Sequence, residues 1–144
     1  KRNELESMII PGSVSAKRKI LVVEDNELNL DIAKYLLTDS GAQVTTVMNG
    51  DAAVREFQNT PVGTYDVILM DVMMPVMDGL EATKAIRMLE REDAKKIPII
   101  AMTANAFEED RKACLEAGMN EHIGKPIDIP RLKRAITKLL TKKG

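Results

Sequence analysis

Tryptophan is absent from this chain, and two phenylalanines and two tyrosines supply its large aromatic surface. That is too little for the stacked platforms on which single-stranded nucleic acids bind. Cys114 is the only cysteine, so an internal disulfide is excluded and a reducing compartment is expected. One thiol and one histidine leave no ligand set for zinc. Net charge is also missing: 21 basic residues face 22 acidic ones, and no global field recommends nucleic acid or an anionic membrane as partner. No apolar run approaches the roughly 18 residues of a membrane span. Met8-Ile9-Ile10 is too short for the core of a signal peptide, so a cytoplasmic location is expected, with no membrane contact by this domain. Internal repeats and low-complexity tracts are lacking too.

What is present suits one globular domain: 144 residues, 44% hydrophobic, with 8 Gly and 6 Pro. Residues 1–17 carry no sustained periodicity and contain Pro11-Gly12-Ser13, and they are assigned to a linker or remnant ahead of a domain spanning 18–144. A first residue that is Lys1 rather than Met gives the expectation of a chain processed or excised from a longer polypeptide, and the charged Lys142-Lys143-Gly144 resembles another boundary.

The organising stretch is Val67-Ile68-Leu69-Met70-Asp71, an apolar run without alternation that reads as a strand buried on both faces of a parallel sheet. Similar strands are expected at Ile20 to Val23 and Ile97 to Met102, with shorter ones at Gln43 to Val47 and Glu121 to Gly124. Between them lie helical spacings. Asn26 caps a helix with Leu28, Ile32, Ala33, Leu36 and Leu37 on its inner face, and Asn49-Gly50 opens one through Ala53, Val54 and Phe57. Leu80, Thr83, Ile86 and Leu89 mark a third, and a fourth runs from Phe107 to a stop at Gly118. The last turns Ile129, Leu132, Ile136, Leu139 and Leu140 inward. Five strands alternating with five helices predict a doubly wound parallel α/β sheet with helices on both faces.

Every polar residue of interest then falls at the carboxyl edge of that sheet, where open α/β sheets hold their ligands. Glu24 and Asp25 follow the first strand, Asp71 ends the third, Thr103 the fourth, and Lys125 follows the fifth. At about 5 Å and an effective dielectric near 20, each carboxylate pair costs roughly 3 kcal/mol. Something positive must offset this or a proton must be taken up, and an all-oxygen donor set inside a cell suits Mg²⁺. Lys125 adds a fixed cation and Thr103 a hydroxyl donor, which together suit an anion with several oxygens, such as a phosphoryl group.

Four pieces carry a resemblance. Val23-Glu24-Asp25-Asn26, Met70-Asp71-Val72-Met73-Met74-Pro75-Val76-Met77-Asp78-Gly79, Ala101-Met102-Thr103-Ala104 and Gly124-Lys125-Pro126 occur in this order between Lys19 and Leu140. With them the sequence resembles the receiver domains of two-component response regulators. The resemblance implies a flavodoxin-like (βα)5 fold with strand order 2-1-3-4-5 and a phosphoacceptor role for Asp71, which would take its phosphoryl group from a phosphohistidine on a histidine kinase or histidine phosphotransfer domain. It implies Mg²⁺ on Glu24, Asp25, Asp71 and the backbone carbonyl of Met73. Phosphoryl contacts would come from Thr103, Ala104 and Lys125, a cis peptide bond would precede Pro126, and the residue three before Lys125 would rotate inward with Thr103.

That residue is His122, where the family usually has Tyr or Phe; the departure bears on the strength of the switch, not on phosphorylation. The bland alternative for a lone histidine is a surface position. Asp78-Gly79 is assigned to a helix cap and turn, Cys114 to helix packing, Met70 to the core, and Glu108 to Lys112 to a solvated face. Asp25-Asn26-Glu27-Leu28-Asn29, Thr103-Ala104-Asn105-Ala106-Phe107 and Ala117-Gly118-Met119-Asn120 are particularly similar to receivers of hybrid sensor histidine kinases. On that footing the parent would be a kinase, while the domain itself promotes only its own phosphorylation and dephosphorylation. A weak dimer through the fourth helix, fifth strand and fifth helix is a further expectation of the family.

A stand-alone regulator, or one with an output domain, is the alternative architecture. A haloacid-dehalogenase-type phosphatase uses similar chemistry but wants a second Asp two residues after the first, where Met73 stands. A flavodoxin-type binding module is disfavoured because no phosphate-cradling loop follows Val23.

Overall fold

The computed structural model describes residues 18–72, 77–103, 108–124 and 127–142, leaving aside the side chains of 108–110 and 141–142. Five parallel strands form the sheet: β1 (Lys19–Val23), β2 (Gln43–Val47), β3 (Val67–Asp71), β4 (Ile99–Thr103) and β5 (Glu121–Gly124). Their spatial order is β2-β1-β3-β4-β5, as expected. The helices are α1 (Glu27–Asp39), α2 (Gly50–Gln58), α3 (Gly79–Arg87), α4 (Glu108–Ala117) and α5 (Ile129–Lys142), with one 3₁₀ turn at Glu92–Lys95.

Alternation along the central strands divides the core in two. Leu21, Val23, Ile68, Met70, Ile99 and Ala101 pack on one face with Phe57 of α2, Ile86 of α3 and Cys114 of α4. Ile20, Val22, Val67, Leu69, Ile100 and Met102 pack on the other with Leu30 and Leu37 of α1 and Leu132 and Ile136 of α5. β3 and β4 are buried at every position because helices cover both their faces, which explains their unbroken apolar sequences.

Short polar side chains start the helices where the sequence places them. Asn26 accepts from the Asn29 N–H at 2.9 Å, and Asn49 from that of Ala52 at 2.7 Å. Asp78 and Glu81 form a reciprocal capping box at the start of α3. Gly41 (φ 100°) and Gly118 (φ 111°) take up the left-handed backbone that ends α1 and α4.

One expectation is corrected. Leu28 and Ile32 do not face the core: they are 67% and 46% exposed, and the inward set of α1 is Leu30, Ala33 and Leu37. Ala33 and Leu37 face the core as expected, while Leu30 takes the place of Leu28 and Ile32, whose helical period lies on a neighbouring stripe that the sheet does not meet. The third helix also stops at Arg87 rather than running through Leu89 into the charged stretch, which forms the 3₁₀ turn.

Candidate functional site

The site is built from the ends of β1 and β3. Glu24, the first residue after β1, is 2% exposed. Its N–H donates to the Val47 carbonyl at 3.1 Å, and its Oε2 accepts from the Asn26 N–H at 3.2 Å, so one side chain both faces the site and shapes the turn into α1. Asp25 is half-buried beside it. Asp71, the last residue of the central strand, is 1% exposed. Carboxylate oxygens of Glu24, Asp25 and Asp71 all lie within 4.8 Å of one another.

Thr103 closes the neighbouring strand and is also buried; register puts Asp71 opposite Met102 and Thr103 opposite Gly124. β5 thus delivers the chain to the site edge at the residue before Lys125. Lys125, Pro126, Met73 and Ala104 lie outside the described residues, as do residues 1–17. His122 is half-buried on β5, opposite Ala101, rather than fully on the surface. It therefore shares the sheet face covered by α2, α3 and α4, and its Nδ1 is buried without a hydrogen-bond partner among the described residues.

The backbone around Asp71 is tightly held. Val72 donates to the Met102 carbonyl at 3.1 Å, and Gly79 donates to the Val72 carbonyl at 3.0 Å, which folds the start of α3 back on the end of β3. A Cβ at Gly79 would stand 2.2 Å from the Asp71 carbonyl oxygen, and one at Gly50 would stand 2.5 Å from that of Met77. The sequence assigned Asp78-Gly79 to capping alone. The available signal for more was a glycine in the first turn of a helix, where almost any other residue favours the helix better.

Chemically, three carboxylates this close and this buried repel by about 3 kcal/mol per pair at an effective dielectric near 20. They match the donor set of a hard divalent cation bound through oxygen, and neither thiol nor imidazole stands among them. Asp71 stands at the carboxyl end of the central strand, the edge at which open α/β sheets hold their ligands.

The model of the response regulator receiver domain matches residues 20–137. The chain is 39% identical over 155 residues to "Probable histidine kinase 1" of Oryza sativa subsp. indica, covering 88% of this chain and 16% of that protein. It is 43% identical over 126 residues to hybrid signal transduction histidine kinase I of Dictyostelium discoideum, covering 85% and 7%. Among solved structures it is similar to the receiver domain of a sensor histidine kinase from Pseudomonas aeruginosa PAO1, crystallised with a magnesium ion coordinated in its active-site cleft. That match has a TM-score of 0.77 and 41% identity, and covers 88% of this chain and 99% of the other. The chain therefore belongs to the response regulator receiver-domain family of two-component signalling, with the flavodoxin-like fold of that family. It is homologous to the receiver regions of hybrid histidine kinases and spans only 16% and 7% of the two relatives named.

Among the described residues, no helix is long and apolar enough to cross a membrane.

Proposed function

We propose that Asp71 is the phosphoacceptor of this receiver domain and takes its phosphoryl group from a phosphohistidine on a histidine kinase or histidine phosphotransfer domain. The observation that carries this is the cluster of buried Glu24 and Asp71 with half-buried Asp25 at the ends of β1 and β3. An Asp71 carboxylate oxygen forms the new P–O bond while the P–N bond to the donor imidazole breaks, and the leaving nitrogen takes a proton from solvent.

Glu24, Asp25 and Asp71 are the side chains suited to Mg²⁺, with the Met73 carbonyl as the fourth protein donor that the family pattern implies. Bound there, the ion supplies positive charge against both the carboxylates and the phosphoryl oxygens. The magnesium in the Pseudomonas aeruginosa relative supports this assignment. Glu24 holds the turn that presents Asp25 through its bond from the Asn26 N–H. Thr103 offers its hydroxyl to a phosphoryl oxygen, and Lys125 and Ala104 complete the anion's contacts in the same pattern. The movement of Thr103 lets the His122 ring turn inward and alters the face of α4, β5 and α5, which is also the surface for a weak dimer.

The parent is proposed to be a hybrid sensor histidine kinase, because the relatives above are kinases of which a region of this size is a small part. The test is intact-mass measurement after incubation with acetyl phosphate. One phosphate is expected with Mg²⁺, and none with excess chelator or in Asp71→Asn. Labelling that survives that substitution would remove Asp71 from the role.

A further inference from the structure

Arg87 ends α3 far from the carboxylates, and no phosphotransfer step uses it. Its guanidinium nevertheless ties α3 to two other segments. Nε and Nη2 donate to the Gly118 carbonyl at 3.0 and 2.8 Å, Nη1 to the Ala94 carbonyl at 2.9 Å, and Nη2 to Asn120 Oδ1 at 2.9 Å. Among the described residues these partners are all neutral oxygens, and partial burial without a compensating carboxylate holds the guanidinium below its ordinary pKa. Asn120 in turn bonds β4: its N–H donates to the Ile99 carbonyl at 2.8 Å, and its Oδ1 accepts from the Ile99 N–H at 2.9 Å. Gly118 fits closely over the Arg87 stem, for a Cβ there would stand 3.1 Å from Arg87 Cγ. The stretch Ala117-Gly118-Met119-Asn120 thus receives the end of α3 at the root of β5.

The other end of α3 is fixed to the phosphoacceptor strand, with Gly79 against the Asp71 carbonyl and bonded to Val72. One nine-residue helix is therefore bonded at its start to Val72, the residue after Asp71, and at its end to Gly118 and Asn120, just before β5. We propose that Arg87 is a positioning residue for the switch: it holds the root of β5 fixed relative to Asp71, so that displacement at Thr103 and Gly124 turns His122 instead of sliding the whole strand. A strand pulled at its far end rotates only if its near end is held. Arginine suits this because a planar fork of donors can meet three carbonyl-type oxygens in fixed directions, which a lysine ammonium cannot.

The inference rests on Asp71 being the phosphoacceptor, and one experiment separates the two. Backbone amide spectra are recorded with and without Mg²⁺ and beryllium fluoride for native protein, Arg87→Lys and Arg87→Met, with thermal melts to establish folding. Native protein is expected to respond both at Val72, Met77 and Gly79 and at Glu121 to Gly124. In the variants the first set should respond as in native protein, while the β5 response falls below half. A β5 response of native size in a folded variant overturns the positioning role and leaves Asp71 in place. No response at Val72, Met77 and Gly79 in native protein removes the phosphoacceptor assignment and this role with it. If neither variant folds, Arg87 is a structural requirement only, and the positioning role fails.

Discussion

Gly79 lies so close to the backbone of Asp71 that a single added carbon would stand 2.2 Å from the Asp71 carbonyl oxygen. The atom in the way is main chain and cannot swing aside, so Gly79→Ala must move either β3 or the start of α3. Overpacking of this kind costs about 1–3 kcal/mol, and melting should fall by roughly 3–10 °C. Phosphorylation of Asp71 by acetyl phosphate should slow as well, since the displaced atoms belong to the phosphoacceptor's own peptide group. A variant with native melting and native rate would show that the contact relaxes freely.

Asp25→Asn should change stability in opposite directions with and without metal. In chelator it removes part of a repulsion of about 3 kcal/mol per pair, so the variant should melt no lower than native protein. With Mg²⁺ at about 100 times its dissociation constant, native protein should gain roughly 2.7 kcal/mol by mass action, and the variant much less. Melts over a magnesium series check both arms, and an equal gain in the variant would place the ion elsewhere.

His122 carries a buried Nδ1 without a partner among the described residues. Replacing the ring by the apolar one in His122→Phe removes that unmet demand, and the unphosphorylated domain should gain about 1 kcal/mol. The beryllium-fluoride response of β5 should also grow, because an apolar ring is buried at less cost than an imidazole. A destabilised Phe variant with a smaller response would contradict this account of the switch.

Asp93 lies in the 3₁₀ turn before β4, bonded to Arg91 at 2.7 and 3.0 Å and accepting from the Gly63 N–H at 3.0 Å. The Arg91 bond lowers its pKa first, against the upward push of burial, and the Gly63 bond helps. A depressed folded pKa means that the contribution is present above the ordinary carboxylate value of about 3.9 and is lost as pH falls through the lower folded value. Asp93→Asn should therefore cost about 1 kcal/mol at neutral pH and make the acid limb of the stability curve shallower below about pH 4. Urea titrations at pH 7 and pH 3 check the sign.

The exposed side of α1 supplies a further expectation. Leu28 and Tyr35 are 67% and 69% exposed, so Leu28→Gln and Tyr35→Gln should each shift stability by less than about 0.5 kcal/mol. Leu37→Ala, fully buried in the same helix, should cost about 2–5 kcal/mol. Urea unfolding of the three variants decides between the two faces.

The strands were legible because burial on both faces demands apolar residues at every position, as in Val67 to Met70. The carboxylates were legible because parallel strands end at one edge, so Glu24, Asp25 and Asp71 follow from topology once the strands are placed. The inner face of α1 was legible only in part: Ala33 and Leu37 are inward as expected, but Leu28 and Ile32 keep helical spacing as well as Leu30 does, and periodicity cannot say which stripe meets the sheet. Arg87 left even less trace. Its acceptors are two main-chain carbonyls and one amide, 7 to 33 residues away, and every residue type offers a main-chain carbonyl.

The common direction of the five strands gives the molecule two unlike rims. Where the strands finish stand Glu24, Asp25, Asp71 and Thr103; where they begin stand the fastenings of Arg87, Arg91 and Asn120. A change at the finishing rim meets the carboxylate cluster directly, whereas one at the opposite rim reaches it only along an element such as α3, which starts against Asp71 and ends at Arg87.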